Sequence, residues 1–422
     1  MASVLFKNAW VVGSGPADVG VRNGRISLVG TAGPEADYER VIEAGNYALM
    51  PGLINTHGHG AMTLLRSVAD DLPLKEWLET RIWPLEDKLT GTEVYWGTML
   101  AIVEMLKGGT TTFTDMYFFE DRVAQAAAET GIRAVLCRGL VALGPNFEQA
   151  LAESRDFVRA WNGAKGGRIT AHLGPHALYT CPPPHLDKVL DLAAELKVPL
   201  QIHVSESPGE VEESYKQYGK SPVEVLAEAG LFAHPVLAAH CVHLKERDLD
   251  LLAAHDVRVA HNPTSNLKLG NGIAPVPALL QRGVTVGLGS DGAASNNNLD
   301  MLEEVRLAAL IHKGVHNDPT LIPAAQALAL ATTMGARAVF LDGEIGTIAE
   351  GMKADIILID LNKPHLIPRH DVDAHIVYSA QAADVSLVMV DGQILVEEGK
   401  LTTIDEERIL FEAARCAREL TG

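Results

Sequence analysis

The chain has 422 residues, of which 47% are hydrophobic and 21% charged, a balance typical of a folded protein with a sizeable core. Its formal net charge of −19 argues against binding to nucleic acid or to an anionic membrane. The four cysteines are far apart and form no Cys-x-x-Cys pair, which argues against a disulfide framework and favours a reducing, cytoplasmic location. Lys7 interrupts the short apolar run near the start, so we expect no secretion signal, and no apolar run is long enough to predict a membrane span.

Residues 1–55 predict the first part of a small β-sandwich, because short apolar runs alternate there with turn residues. The dipeptide Asn23-Gly24 is a strong signal for a tight β-hairpin turn.

Residues 56–342 predict a catalytic (β/α)8 barrel. Apolar strand-like runs, the first of them entering this region from residue 48, alternate with amphipathic helical segments, a pattern typical of a parallel sheet buried on both faces. Eight such units favour a closed barrel, and an open doubly wound sheet lacks support because the first strand is followed by no glycine-rich phosphate loop. The candidate strands are 48–55, 110–116, 133–140, 168–173, 200–204, 236–241, 257–260 and 285–288.

Residues 343–422 predict the second part of the β-sandwich and a closing helix. The candidate strands are 346–348, 354–360, 388–390 and 394–396, with Asp391-Gly392 as a second hairpin signal. Residues 406–420 predict the helix.

Polar residues collect where the predicted barrel strands end, which is where barrel enzymes place their active sites. His57 and His59 stand two residues apart after the first strand, so both can face one metal ion. His203 and Asp291, on the fifth strand and after the eighth, complete a set of three imidazoles and one carboxylate. That set suits one divalent metal ion, Zn2+ first, with Fe2+ or Mn2+ as alternatives, and leaves a position for water.

Two further residues fit catalysis at such a centre. Glu206, three residues after His203, is placed to carry a proton, and His240 to orient the attacking water. Asp291 is placed to accept a proton from that water. Taken singly, His203 and His240 are more typical of core histidines, Glu206 of a carboxylate at a helix N-terminus, and Asp291-Gly292 of an ordinary turn. Their joint occurrence at strand ends favours the functional interpretation.

These residues lie in segments that resemble the amidohydrolase superfamily, and the resemblance spans nearly the whole chain. The matching segments are 51–59, 108–112, 203–206, 240–243, 261–266, 289–292 and 346–355. Binuclear members carry a bridging lysine after strand 4, and the segment 168–174 has none, so the resemblance implies a single metal ion.

Within that superfamily the chain resembles the 5′-methylthioadenosine/S-adenosylhomocysteine deaminases. The resemblance implies that Glu86 binds the ribose hydroxyls, that His176 touches the purine, and that Arg138 meets the amino-acid tail of the larger substrate. Glu206 and Asp291 also contact the substrate in this interpretation. The second arginine of the better-studied form has no counterpart in 141–146, which favours methylthio- or 5′-deoxyadenosine over homocysteine-tailed substrates.

Other interpretations remain open from the sequence. A triazine-type chlorohydrolase, or a deaminase of a free base such as guanine or a pterin, would have a similar metal site but no need for Glu86. A metal-free scaffold barrel is an alternative of another class. The resemblance implies a small nucleoside as the partner and assembly into a homo-oligomer.

Overall fold

The computed structural model describes residues 3–142, 144 and 146–422, so the first two residues of the predicted β unit and two residues of the segment 141–146 lie outside the described residues. Strands and helices both occur throughout, which confirms the mixed α/β class. None of the described helices combines the length and the apolar character needed to cross a membrane.

The strands fall into an outer antiparallel-rich set at the two chain ends and a parallel set between them. They are β1 Val4–Val11, β2 Gly15–Arg22, β3 Arg25–Gly30, β4 Arg40–Glu43, β5 Tyr47–Pro51, β6 Leu53–Asn55, β7 Thr110–Tyr117, β8 Arg133–Leu140, β9 Ile169–Ala171, β10 Gly174–Pro175, β11 Leu200–Val204, β12 Val236–His240, β13 Arg258–His261, β14 Val286–Leu288, β15 Ile356–Asp360, β16 Val385–Val390, β17 Gln393–Glu397 and β18 Lys400–Leu401.

The α-helices lie mainly between the parallel strands and after the last of them. They are α1 Leu74–Trp77, α2 Trp83–Glu86, α3 Gly91–Lys107, α4 Glu120–Thr130, α5 Phe147–Trp161, α6 Ala164–Gly167, α7 Pro183–Leu196, α8 Pro208–Tyr218, α9 Pro222–Glu228, α10 Glu246–Ala254, α11 Pro263–Lys268, α12 Val276–Gln281, α13 Ala293–Asn296, α14 Met301–His316, α15 Ala324–Leu330, α16 Thr333–Ala338, α17 Val372–Tyr378 and α18 Glu406–Thr421. Helix α3 begins at a capping box, in which the Thr90 side chain and Glu93 satisfy each other's backbone N–H groups.

Both chain ends contribute to one nine-stranded sheet, in the order β18-β17-β16-β15-β5-β1-β2-β3, with β4 beside β1. The two hairpins that the sequence predicts are confirmed. Arg22 pairs with Arg25 across the Asn23-Gly24 turn, and Val390 pairs with Gln393 across the Asp391-Gly392 turn. Alternate side chains of this sheet form a separate apolar core that includes Phe6, Leu49 and Ile356.

The parallel strands β6 to β14 follow one another in chain order. Regular pairing joins β6, β7, β8 and β9, and then β11, β12, β13 and β14, while single bridges at Leu173 and Ala177 connect the two groups. The last strand returns to the first, because the Thr56 N–H donates to the Leu288 carbonyl at 2.8 Å and the Asp291 N–H to the His57 carbonyl at 3.0 Å. The carboxyl ends of these strands therefore all face the same side of the molecule.

The predicted first strand, 48–55, is divided in the structure. Its first half, β5, pairs with β1 and β15 of the outer sheet, and its second half, β6, pairs with β7. The change occurs at Gly52, where a Cβ would lie 2.1 Å from the Thr111 side chain, so only glycine fits. Both halves are apolar and buried, and for this reason the hydrophobic pattern does not reveal the crossing.

The predicted strand 346–348 is wrong. Gly346 has a φ of +90°, and a Cβ there would lie 2.6 Å from Ala336 Cβ, so this segment turns closely past α16 and does not extend. The helix expected at 406–420 occurs as α18, and the helical segments expected between the parallel strands also occur.

Candidate metal centre and active-site cavity

A cavity of about 970 Å³ opens at the carboxyl ends of the parallel strands. Apart from His57, which is buried directly behind it, every residue that the sequence predicts for the site lines this cavity. The structure therefore brings together residues from six separate strand ends and from the segment that carries Glu86.

Five side chains at the floor of the cavity form the candidate metal centre. The donor atoms of His57, His59 and His203 lie within 4.8 Å of one another, and so do those of His57, His240 and Asp291. Asp291 Oδ1 is 3.5 Å from His57 Nε2 and 3.2 Å from His59 Nε2. These distances are short enough for the side chains to share one divalent ion.

Neighbouring groups orient the donor atoms towards this centre. The Nδ1–H groups of His59 and His203 donate to the carbonyls of Met116 and His176, each at 2.7 Å, which turns both Nε2 atoms towards the centre. Asp291 Oδ2 accepts from Ser265 Oγ at 2.6 Å and from Ser295 Oγ at 3.0 Å, so Oδ1 is the oxygen that faces the histidines of the centre.

The chemistry of the donors fits a divalent transition metal. His57 Nε2 is buried and has no hydrogen-bond partner among the described residues, which is costly for a polar atom unless an ion completes it. Burial, and then the neighbouring imidazoles, lower the pKa values of His57 and His203 well below the usual range, so both are neutral ligands. Burial would also lower the pKa of His59, but the hydrogen bond to Asp291 and the charge of that residue outweigh it and raise the pKa to about 9. A cation would replace that proton.

Glu206 lies beside the centre as a separate group and is 6% exposed. Its Oε2 is 3.9 Å from His240 Nε2, and its Oε1 accepts from Asn271 Nδ2 at 3.1 Å. Burial raises the pKa of the Glu206 carboxyl, which suits a group that exchanges protons near neutrality. Glu210 fixes the loop that carries it, by accepting from the backbone N–H groups of Glu206 and Ser205 at 2.7 and 3.0 Å.

Backbone strain occurs at two of the same strand ends. His240 and Asp291 have φ values of 70° and 62°, in the left-handed region that non-glycine residues rarely occupy. Such strain is typical of functional sites, where the surrounding structure imposes it. His240 is held further by Asn266, whose Oδ1 accepts from Nδ1 at 2.8 Å.

Glu86, His176 and Arg138 stand around the cavity wall. Glu86 ends α2, just after the π-helix Leu78–Ile82, and lies beside Tyr117; burial raises its pKa. His176 Nδ1 is hydrogen-bonded to Thr180 Oγ1 at 2.8 Å, and its ring is 4.7 Å from that of His203. Arg138 forms an ion pair with Glu153 at 2.8 Å.

The sequence did not reveal several supporting residues. Asn266 and Ser265 lie within a segment that carried the family resemblance, so the motif itself contained a signal for them. Asn271 and Glu153 had no such signal, because one lies in a loop after α11 and the other is an ordinary acid on a helix. His243 holds the same loop, because its Nε2 donates to the Asn271 carbonyl at 2.6 Å.

Comparison with known proteins identifies a matching family and a named relative. The amidohydrolase family profile matches residues 48–395. The chain is 52% identical, over 99% of both sequences, to the 5-methylthioadenosine/S-adenosylhomocysteine deaminase of Desulforudis audaxviator (strain MP104C).

Solved structures agree with that relationship. A zinc-bound adenosine deaminase from Xanthomonas campestris is 35% identical and superposes with a TM-score of 0.93, over 99% of this chain and 98% of the other. The atrazine chlorohydrolase of Arthrobacter aurescens TC1, complexed with zinc, is 26% identical with a TM-score of 0.90, over 98% of this chain and all of the other. The chain belongs to the amidohydrolase family.

Proposed function

We propose that this protein hydrolytically deaminates the adenine ring of adenosine or a 5′-substituted adenosine, such as 5′-methylthioadenosine, S-adenosylhomocysteine or 5′-deoxyadenosine. The products are ammonia and the corresponding inosine derivative. The observation that carries the proposal is the position of Glu206, a buried carboxyl beside a cluster of histidines and Asp291, in a chain about half identical to named deaminases.

His57, His59, His203 and Asp291 would hold one divalent metal ion, with Zn2+ as the first candidate and Fe2+ or Mn2+ as alternatives. The zinc in the two neighbouring structures and the neutral imidazoles support this assignment. When bound, such an ion would lower the pKa of a water molecule to about 7. That water could then attack the ring carbon that bears the amino group.

The chain's own residues move the protons. Asp291 takes a proton from the attacking water, and His240, fixed by Asn266, holds that water in place. Glu206 protonates the ring nitrogen beside the reacting carbon, so that the ring accepts the new bond without building up negative charge. Asp291 then passes the proton it took from the water to the amino group, and the carbon–nitrogen bond breaks with release of ammonia. Glu206 takes back a proton from the new hydroxyl group, which leaves the carbonyl of the inosine product and restores both acids.

Other cavity residues would bind the rest of the nucleoside. A carboxylate can accept from two adjacent hydroxyl groups, which supports Glu86 as the ligand of the ribose diol. His176, close to His203, is placed to touch the purine, and Arg138 stands further along the wall, where a 5′ substituent would extend.

The succession of parallel strands and the return of β14 to β6 support a (β/α)8 barrel over 56–342, and the shared outer sheet supports one β-sandwich domain made from 1–55 and 343–422. A cytoplasmic location and assembly into a homo-oligomer stay predictions.

An ammonia-release screen tests the activity. Metal-loaded protein is offered adenosine, 5′-deoxyadenosine, methylthioadenosine, S-adenosylhomocysteine and guanine, with chloride release from a chlorotriazine measured alongside. We expect turnover of the adenosine derivatives only. Faster turnover of guanine or of the chlorotriazine would replace the proposal with one of its rivals.

The variant Glu206→Gln tests the assigned mechanism. We expect it to retain the metal ion but to lose at least about 100-fold in kcat, because the amide cannot transfer the proton. Glu213→Gln, which changes an exposed glutamate on the following helix, is the matched control and should behave like the unaltered protein. Near-normal turnover by Glu206→Gln would contradict the assignment of Glu206 as the proton donor.

A further inference from the structure

The cavity is strongly acidic. Seven aspartates and glutamates line it, whereas Arg138 is the one arginine or lysine among its described lining residues. A 5′ substituent that carries only a carboxylate therefore has one arginine, and no lysine, to pair with in this lining. Binding of such a substituent depends on whether Arg138 can form an ion pair with it.

Arg138 is not free. Its Nη2 is 2.8 Å from Glu153 Oε2, and the other oxygen of Glu153 accepts from Gln149 Nε2 at 2.8 Å. Glu153 comes from α5, one turn before Phe157, which also lines the cavity. The carboxylate therefore stands at the cavity wall and neutralises its arginine.

The ion pair also lies next to the proposed ribose position. Tyr117 is beside Glu86, the proposed ribose ligand, and Arg138 is the register partner of Tyr117 on the adjacent parallel strand. The pair is thus one strand further round the wall from the ribose position. Arg138 and Glu153 are 23% and 45% exposed in their side chains, so both can exchange their mutual contact for contacts with a ligand.

We propose that Glu153, through its ion pair with Arg138, selects the 5′ substituent of the nucleoside: it favours uncharged or ammonium-bearing groups and disfavours a group whose only charge is a carboxylate. The inference rests on the proposed function. A neutral thioether leaves the pair intact. An amino-acid tail exchanges it for two new pairs, carboxylate with Arg138 and ammonium with Glu153, so the charges stay balanced. A lone carboxylate must displace Glu153 and leaves that acid unpaired.

Three adenosine 5′-thioethers of similar length separate these cases. They carry propyl, 3-aminopropyl and 2-carboxyethyl groups on sulfur, and kcat/KM for ammonia release is measured with metal-loaded protein. The two readouts are kcat/KM for the cationic substrate and kcat/KM for the anionic substrate, each divided by kcat/KM for the neutral substrate. They are called the cationic ratio and the anionic ratio. A general loss of activity in a variant cancels from both ratios.

In Glu153→Gln we expect the anionic ratio to rise about tenfold and the cationic ratio to fall about tenfold, as one uncompensated charge in a partly solvated cavity predicts. In Arg138→Gln the anionic ratio should fall. Glu148→Gln, which changes an exposed glutamate at the start of the same helix, should leave both ratios unchanged.

The outcomes separate the two proposals. Ratios that stay within twofold in Glu153→Gln, while the unaltered protein deaminates the thioethers, overturn the role of Glu153 and leave the proposed function standing. If the unaltered protein releases ammonia from none of the three thioethers, nor from methylthioadenosine, both proposals fall together.

Discussion

The side-chain amide of Asn271 donates to Glu206 Oε1 at 3.1 Å, although 65 residues separate the two in sequence. This hydrogen bond opposes the effect of burial on the Glu206 pKa and fixes the direction of the carboxyl group. Asn271 is thus a positioning residue for the proposed proton carrier.

Replacing Asn271 by leucine, which has a similar volume, should lower kcat/KM about tenfold, because the carboxylate that forms as Glu206 gives up its proton loses a hydrogen bond. The limb of the pH–rate profile that Glu206 titrates should move to higher pH, since the lost bond had lowered that pKa. A purely structural role would not move the profile. Asn298→Leu, at an asparagine that binds the exposed Glu303, is the control.

The contribution of Glu86 to substrate binding should depend on the two adjacent hydroxyl groups of the ribose. Glu86→Gln should reduce kcat/KM for methylthioadenosine by about tenfold, because the amide accepts less well from two hydroxyl groups. The same variant should change kcat/KM for 2′,3′-dideoxyadenosine by less than about twofold, since this substrate has no diol to lose. Glu79→Gln, on the preceding turn and half-exposed, serves as the control. Equal losses on both substrates would count against the nucleoside assignment.

The strand ends that carry the candidate metal centre could be predicted from the sequence. His57, His203 and Asp291 each stand at or just after the end of a short apolar run, and parallel strands bring such positions to one face. The local hydrophobic pattern and the strand topology were sufficient to predict these positions, because each residue is placed by its own strand.

Residues that act through a partner on another element could not be predicted in the same way. Glu153 shows only the pattern of an acid on an amphipathic helix, and its pairing with Arg138 depends on how α5 packs against β8. The division at Gly52 was hidden for a related reason, since an apolar run is equally suited to either sheet. Tertiary packing supplies this information.

A buried ion pair connects the outer sheet to the parallel strands. Arg133, at the start of β8, binds Asp355 through Nε at 2.7 Å and Nη2 at 3.0 Å, and it also binds Asp391 at 2.7 Å. Arg133 and Asp355 are 2% and 4% exposed, so water cannot compensate for the loss of either.

Arg133→Met should therefore lower the free energy of unfolding by about 3–5 kcal/mol, because it leaves the buried Asp355 carboxylate without its cation. Asp391 keeps a second partner, Lys353, whose Nζ is 3.4 Å from its Oδ1. Urea denaturation followed by circular dichroism measures the change. Arg159→Met is the matched control: Arg159 is 60% exposed, its pair with Glu195 is on the surface, and a loss below about 1 kcal/mol is expected. Similar losses of unfolding free energy in both variants would show that the buried ion pair stabilises the protein no more than the surface pair does.

Glu304, in the first turn of α14, is fully buried and makes the stability of the protein depend on pH. Burial raises its pKa from 4.5 to about 8, although Asn296 donates to it at 2.7 Å. Between these values the folded protein holds one proton more than the unfolded chain, so the Glu304 contribution to stability is full below about pH 4.5 and is lost as the pH rises towards 8. The stability advantage of the unaltered protein over Glu304→Gln should shrink by up to about 1.4 kcal/mol per pH unit across that window in urea denaturation. Glu303→Gln, at the exposed neighbouring position, should show no such trend, and a constant difference for Glu304→Gln would contradict the assignment.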